Sequence, residues 1–193
     1  MNVIDQKLAL EKLNSGSPIV FQTDTLPAIG CLPKFSEMIY KIKKRDIKKP
    51  LILMGAENFE FDDFVHESAL GDFKYIASRY WPGPLTIIVP ISEKRRSFST
   101  SSNYTIGLRI PNSKMAKLLL KKSGPLLTSS ANISGMPTAT NAKEISISLP
   151  NVNILGPVPW ENCSGNASTI ISWANHGKWK IIREGDISIT GIN

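Results

Sequence analysis

Apolar and polar residues alternate along this chain with two periods, and the period switches repeatedly. Ile4, Leu8 and Leu13 fall toward one side of a helix predicted over 5–15, and Gly16 supplies its stop. Residues 18–22 read as a buried strand. Phe35, Met38, Ile39 and Ile42 lie at i, i+3, i+4 and i+7, the spacing of an amphipathic helix. A short buried strand follows over 51–54. Ala69, Phe73, Ile76, Ala77 and Tyr80 form a second helical stripe. It must end at Trp81-Pro82-Gly83-Pro84, because proline removes an amide donor and clashes with the preceding turn. Strands are predicted over 85–89 and 105–110, and the polar, serine-rich 93–103 between them has the pattern of a mobile loop.

The second half continues the mixture. A helix over 113–122 is closed by Gly124, and a strand follows over 126–128. Asn141 and Glu144 have capping-box spacing for a short helix up to Leu149. Strands are expected over 152–155, 168–172 and 179–183. Helices and strands mix throughout, and the late strands lack long helices between them. The expected class is therefore α+β (α/β-type mixed): an open, twisted mixed β-sheet flanked by helices. The 193 residues, 41% of them hydrophobic, suit one domain over 1–193 with a core that needs no staples.

Charge and cysteine usage narrow the class. A net charge of +7 favours phosphate-bearing partners, whether nucleotide or nucleic acid. Cys31 and Cys163 form no CxxC pair and fit a reducing compartment. The opening residues interleave charge with apolar side chains, unlike a secretory signal, and the apolar run near 85–91 is too short to span a bilayer. A cytoplasmic protein without a membrane role is expected. The glycosylation-like triplets at Asn132 and Asn166 then read as chance or as site chemistry.

Familiar phosphate and catalytic signatures are missing. The sequence has no GxxxxGK[ST] loop, no GxGxxG after a strand and no GxSxG elbow. His66 and His176 are isolated and offer no zinc spacing with the cysteines. Other constellations carry candidate chemistry. Thr23-Asp24-Thr25 follows a predicted strand and is either a ligand-binding strand end or a plain turn. Lys41, Lys43, Lys44, Arg45, Lys48 and Lys49 are either a solvated turn or a clamp for a triphosphate, with Arg45 forked on two oxygens and Lys43 a point charge. Ser129-Ser130-Ala131-Asn132 and the Ser/Gly/Thr residues up to Thr138 are either an ordinary loop or donors to phosphate, ribose or carboxylate. Arg109, inside an apolar strand, either pairs with an acid or meets an anionic ligand. Lys114, Lys117 and Lys121 share one helix face, which reads as solvated in preference to an unspecific RNA contact.

In order along the chain, these segments resemble the YrdC-like family, whose members include threonylcarbamoyl-AMP synthases. TDTLPAIG resembles that family's TDTVYGLG, IYKIKKRDIKKPLIL its IYEIKxRPxxKPL, and RYWPGPLTIIV its WPGPLT. TIGLRIPN resembles its VRxP strand and PLLTSSANISGMPTAT its TSANxSGxPxxT. NASTIIS resembles its ESTV strand and WKIIREGDIS its LRPGxIS ending. The resemblance implies a deep basic concave face on the twisted sheet. It implies ATP at Lys43, Arg45, Ser130, Asn132, Thr138 and Arg183, and L-threonine at Thr23, Arg109, Thr128 and Ser168. It assigns no catalytic side chain beyond charge stabilisation by Lys43 and Arg45. The implied reaction joins L-threonine, bicarbonate and ATP, with Mg²⁺ bound through the triphosphate. The product would pass to a tRNA threonylcarbamoyl transferase complex for threonylcarbamoyladenosine formation, with direct tRNA contact possible and a monomer or dimer expected. Pro27 and Ala28 replace the family's Tyr-Gly, Asp46 and Glu184 replace prolines, and Gly165-Asn166-Ala167 replaces Gly-Val-Glu. The rival reading is a non-catalytic RNA-binding or nucleotide-binding relative without synthase activity.

Overall fold

The computed structural model describes residues 1–161 and 163–190. Among the described residues one sheet runs through the chain. Its strands are β1 (Val3–Ile4), β2 (Ile19–Phe21), β3 (Ala28–Cys31), β4 (Ile52–Met54), β5 (Leu85–Pro90), β6 (Thr105–Arg109), β7 (Leu126–Ser130), β8 (Asn153–Leu155), β9 (Thr169–Asn175) and β10 (Lys178–Arg183). The order across the sheet is β1-β8-β2-β3-β7-β4-β6-β5-β9-β10. Four neighbour pairs are parallel, β1/β8, β2/β8, β4/β6 and β5/β9, and the others antiparallel, so the sheet is mixed as expected.

The helices are α1 (Gln6–Asn14), α2 (Glu37–Lys43), α3 (Glu67–Tyr80), α4 (Lys114–Ser123) and α5 (Ala142–Ser148). Their ends follow local chemistry. Asp5 caps α1 by accepting from the Leu8 amide at 2.8 Å, and Gly16 beyond it has φ +90°, which an L side chain resists. The α3 stripe stops at Tyr80, ahead of Trp81-Pro82. At α5, Asn141 accepts from the Glu144 amide at 3.0 Å, while the Glu144 carboxylate accepts from the Thr140 amide and from the Asn141 side-chain amide rather than from the Asn141 backbone.

Three sequence expectations change. β1 and β3 were not foreseen, since two apolar residues and the Ala28–Cys31 segment behind Pro27 show no alternation to detect. Met38 is exposed, because a 3₁₀ turn over Pro33–Phe35 breaks the register of the Phe35–Ile42 stripe before α2 begins. The serine-rich segment is partly ordered as a 3₁₀ helix over Glu93–Phe98, with Phe98 edge-on to Phe64 at 5.0 Å.

Period-two alternation divides the sheet into two faces. Ile29, Leu53, Ile87, Leu108, Leu127 and Ile171 face α2, α3 and α5 in one continuous core. On the opposite face Phe21, Ala28, Met54, Leu126 and Leu155 pack with α1 and α4. Those two helices cover the β1, β8, β2 and β3 end and reach Leu126 of β7 and Met54 at the end of β4, and among the described residues no helix covers the same face over β6, β5 and β9. Among the described residues no helix is long and apolar enough to cross a membrane.

The β9–β10 hairpin is tied to α3 by Asp72. Its Oδ2 accepts from the Trp173 indole N–H at 2.8 Å and the Gly177 amide at 2.7 Å, and these bonds, the Trp173 one foremost, hold its carboxyl below the usual carboxylate range. Asp72→Ala is expected to cost about 2 kcal/mol in denaturant unfolding. Because the folded-state value is depressed, this stabilisation is present above the ordinary carboxylate pKa and lost as pH falls through the folded one. The difference between wild type and variant should therefore shrink on acidification.

Candidate active site

The uncovered face holds a cavity of about 530 Å³. Its floor is made by alternate residues of adjacent strands: Ala28 of β3, Thr128 and Ser130 of β7, Ile52 and Met54 of β4, Gly107 and Arg109 of β6, and Thr86 and Ile88 of β5. Ser168 and Ile170 continue it, and Arg183 of β10 closes one side. The registers align these positions, since Ile52 pairs with both Gly107 and Thr128, Gly107 with Ile88, and Thr86 with Ile170. Of the residues between them, Leu53, Ile87, Leu108 and Ile171 belong to the core, while Ser129 also lines the cavity. One pleat therefore yields an apolar layer on one side and a hydroxyl- and guanidinium-bearing floor on the other.

Arg109 pairs with an acid, the first of the two alternatives left open by the sequence, and it also lines the cavity. It is 4% exposed, and Nη2 donates to Asp24 Oδ1 at 2.6 Å. Nη1 donates to Thr25 Oγ1 at 2.8 Å and Nε to the Gly83 carbonyl at 3.2 Å. Burial pushes its pKa down, Asp24 opposes that shift, and the nearby Arg183 adds to it. A guanidinium has five N–H, so one on each terminal nitrogen has no bond to a described residue. Two remaining donors are the number that a carboxylate takes from a guanidinium. Asp24 Oδ2 is buried and unpartnered among the described residues.

The basic run splits. Arg45 lines the cavity, with Nε on the Lys49 carbonyl at 3.2 Å and Nη2 on that of Pro50 at 3.0 Å. Lys48 and Lys49 stand at the same wall. Lys43, expected as a point charge on a triphosphate, is instead 1% exposed and off the cavity wall. Its ammonium donates to the carbonyls of Ser130 and Asn132, each at 2.5 Å, and to Asn132 Oδ1 at 3.1 Å. Burial lowers its pKa to about 8, aided by the positive charge of Arg45. Asn132 is also off the wall, its amide spent on the Ile133 and Met136 carbonyls, whereas Ser130 and Thr138 line the cavity.

On the opposite wall Thr86 Oγ1 and Ser168 Oγ lie 2.9 Å apart, both buried. Arg183 wraps the same segment, with Nε and Nη2 on the Ser168 carbonyl at 3.1 and 2.7 Å. Gly185 allows this approach, since a Cβ there would lie 2.3 Å from the Ala167 carbonyl oxygen. Thr23 does not join the group. Its hydroxyl is fully buried, bonded to the Leu26 carbonyl at 2.7 Å and to Thr25 Oγ1 at 3.1 Å. It borders a separate cavity of about 930 Å³ formed with Gln22, Asp24, the start of α4 and Trp160. Thr25, two residues on, is the threonine on the floor.

Seven of the ten foreseen residues thus converge: Arg45, Arg109, Thr128, Ser130, Thr138, Ser168 and Arg183. Lys43, Asn132 and Thr23 lie behind the wall. Thr25 belonged to the candidate Thr23-Asp24-Thr25 triplet, though Thr23 was the residue chosen from it; Thr86 was overlooked, and a polar residue amid Leu85, Ile87 and Val89 was its signal. Among the described residues no group of three or more His, Cys, Asp or Glu could hold a metal ion.

An open mixed sheet whose bare face gathers three guanidiniums, lysines and buried hydroxyls is the scaffold of a binder of small anionic ligands. The Sua5/YciO/YrdC family model, described as "Telomere recombination", matches residues 11–185. The chain belongs to that family. It is 33% identical over 141 residues to the threonylcarbamoyl-AMP synthase of Coxiella burnetii, which covers 70% of this chain and 74% of that one. The crystal structure of P. abyssi Sua5 complexed with L-threonine superposes with a TM-score of 0.85 at 25% identity, over 96% of this chain and 58% of that one. This chain therefore spans little more than half of that longer protein. The E. coli YciO crystal structure shares the fold, with a TM-score of 0.79 at 24% identity, over 98% and 97% of the two chains.

Arg109→Met is expected to lower stability by about 3–5 kcal/mol, because it leaves the Asp24 carboxylate buried without its cation. Adding Asp24→Asn should restore part of that loss. Urea unfolding of the two single variants and the double variant reads the coupling directly.

Proposed function

We propose that this chain is an enzyme that makes L-threonylcarbamoyladenylate and pyrophosphate from L-threonine, bicarbonate and ATP, a nucleotidyl transfer serving tRNA threonylcarbamoyladenosine formation. The observation that carries the reading is the pair of remaining Arg109 donors on the cavity floor, within a sheet flanked by the Thr86–Ser168 hydroxyl pair and by Arg45. An amino-acid carboxylate suits the first, a side-chain hydroxyl the second and phosphate the third. The names of the synthase relatives and the threonine complex of P. abyssi Sua5 support the same choice.

In this reading L-threonine lies on Arg109 with Thr25, Thr128 and Ser168 around it. The triphosphate lies toward Arg45, Lys48 and Lys49, with Arg183 across the cavity and Ser130 and Thr138 beside the nucleotide. The threonine amine, once it has lost its ammonium proton to water, and bicarbonate give a carbamate and one water. A carbamate oxygen then attacks the α-phosphorus and pyrophosphate leaves. The side chains align the reactants and offset triphosphate charge, so no strong general base is required. Mg²⁺ arrives with the triphosphate as part of the substrate. The protein works in the cytoplasm as one domain, alone or as a dimer, and hands its product to a tRNA threonylcarbamoyl transferase complex.

The test is pyrophosphate release from ATP and bicarbonate, with L-threonine present, absent or replaced by L-serine. Threonine-dependent release is expected; ATP binding without release would support a nucleotide-binding relative instead. Arg109→Lys keeps a cation for Asp24 but loses the fork. It should raise the threonine KM by about tenfold or more while moving the ATP KM much less. Equal changes in both would contradict the carboxylate assignment.

A further inference from the structure

We infer that Lys43 is a positioning residue, which shapes the turn from Ser130 to Met136 from beneath and acts on nucleotide through that turn instead of touching a phosphate. The inference rests on the nucleotide-site reading above, because it decides which residues of that site meet the ligand.

Lys43 ends α2 with its side chain pointing under the turn. An ammonium has three protons, and the three acceptors at 2.5, 2.5 and 3.1 Å use them all. None is left for a phosphate oxygen. The backbone of the same residue is engaged as well, since the Ser134 amide donates to the Lys43 carbonyl at 2.8 Å. Asn132 carries the constraint onward. Its Oδ1 accepts from Ser130 Oγ at 2.7 Å, and its Nδ2 donates to the Ile133 and Met136 carbonyls at 3.0 and 2.7 Å.

Removing the cation would strip the Asn132 carbonyl of its donor and loosen the Ser130 carbonyl and Asn132 Oδ1, which keep the Asn132 amide and the Ser130 hydroxyl. Beyond Ser130, which ends β7, the turn lies outside helix and strand, so no sheet ladder holds it. Arg45, two residues along, is on the cavity wall and spends only two of its five N–H on protein carbonyls. The Lys-x-Arg pair thus divides its work: the lysine faces inward and builds the turn, and the arginine faces the ligand.

Hydrogen exchange of the ligand-free chain reads the anchor whether or not the protein proves to be a synthase. Lys43→Met should speed exchange at the Asn132, Ser134 and Met136 amides by about tenfold or more. Equilibrium binding should show ATP affinity falling about tenfold or more while L-threonine affinity stays within about twofold, a split that general destabilisation does not produce. Lys43→Arg should fail to restore ATP affinity, because a planar fork cannot satisfy three acceptors around one nitrogen. Unchanged exchange in Lys43→Met, or ATP affinity restored by Lys43→Arg, would overturn the inference in favour of direct phosphate contact. Parallel losses of ATP and threonine affinity would overturn it in favour of a general stability role.

Discussion

A guanidinium cannot be taken out of water alone, and the site is built around that fact. Arg109 sits at the end of β6, where the floor needs a cation, and burial there is tolerable only with an acid beside it. Asp24 supplies that acid from the loop after β2, and Thr25 adds a hydroxyl from the same loop. One ion pair therefore fixes a loop to a strand from which it is distant in sequence. The loop in turn sets the path into β3, and the Pro27 carbonyl accepts the Ala131 amide at 2.8 Å beside the lysine-held turn. Disturbing the pair would reach both halves of the cavity.

The helices and most strands were legible because their determinants are local. Trp81-Pro82 ends α3 whatever packs around it, and Asn141 caps α5 from its own sequence. β3 was not, because its four residues are all buried and its identity depends on pairing with β2 and β7. The site was readable to the level of which segments meet. It was not readable to the level of which atoms face inward. Thr23 and Thr25 are alike in type and two apart, yet the loop turns one into the protein and the other onto the floor. Lys43 read as a point charge on a triphosphate or as part of a solvated run, because three acceptors that come from a turn 87 and 89 residues away leave no mark on its neighbours.

Covering one end of a sheet face with α1 and α4 and leaving the other bare also separates stability from chemistry. The core behind the floor is apolar and continuous, and Cys31 within it has its thiol pushed up to about 12 by burial, far from a reactive thiolate. Floor residues such as Gly107 and Ile88 can change size toward the cavity without entering that core. A Cβ on Gly107 would meet its nearest neighbours at 3.6 Å or more, an ordinary contact.

The hairpin held by Asp72 ends the sheet, so β10 presents a row of backbone groups without a further strand among the described residues. Lys178, Lys180 and Arg183 lie along it, and its register slips at two places. A second copy approaching in the manner of a growing fibril would meet like charge and an irregular ladder at once. The cations on this strand thus act as gatekeepers of solubility, while one of them, Arg183, leans over the cavity.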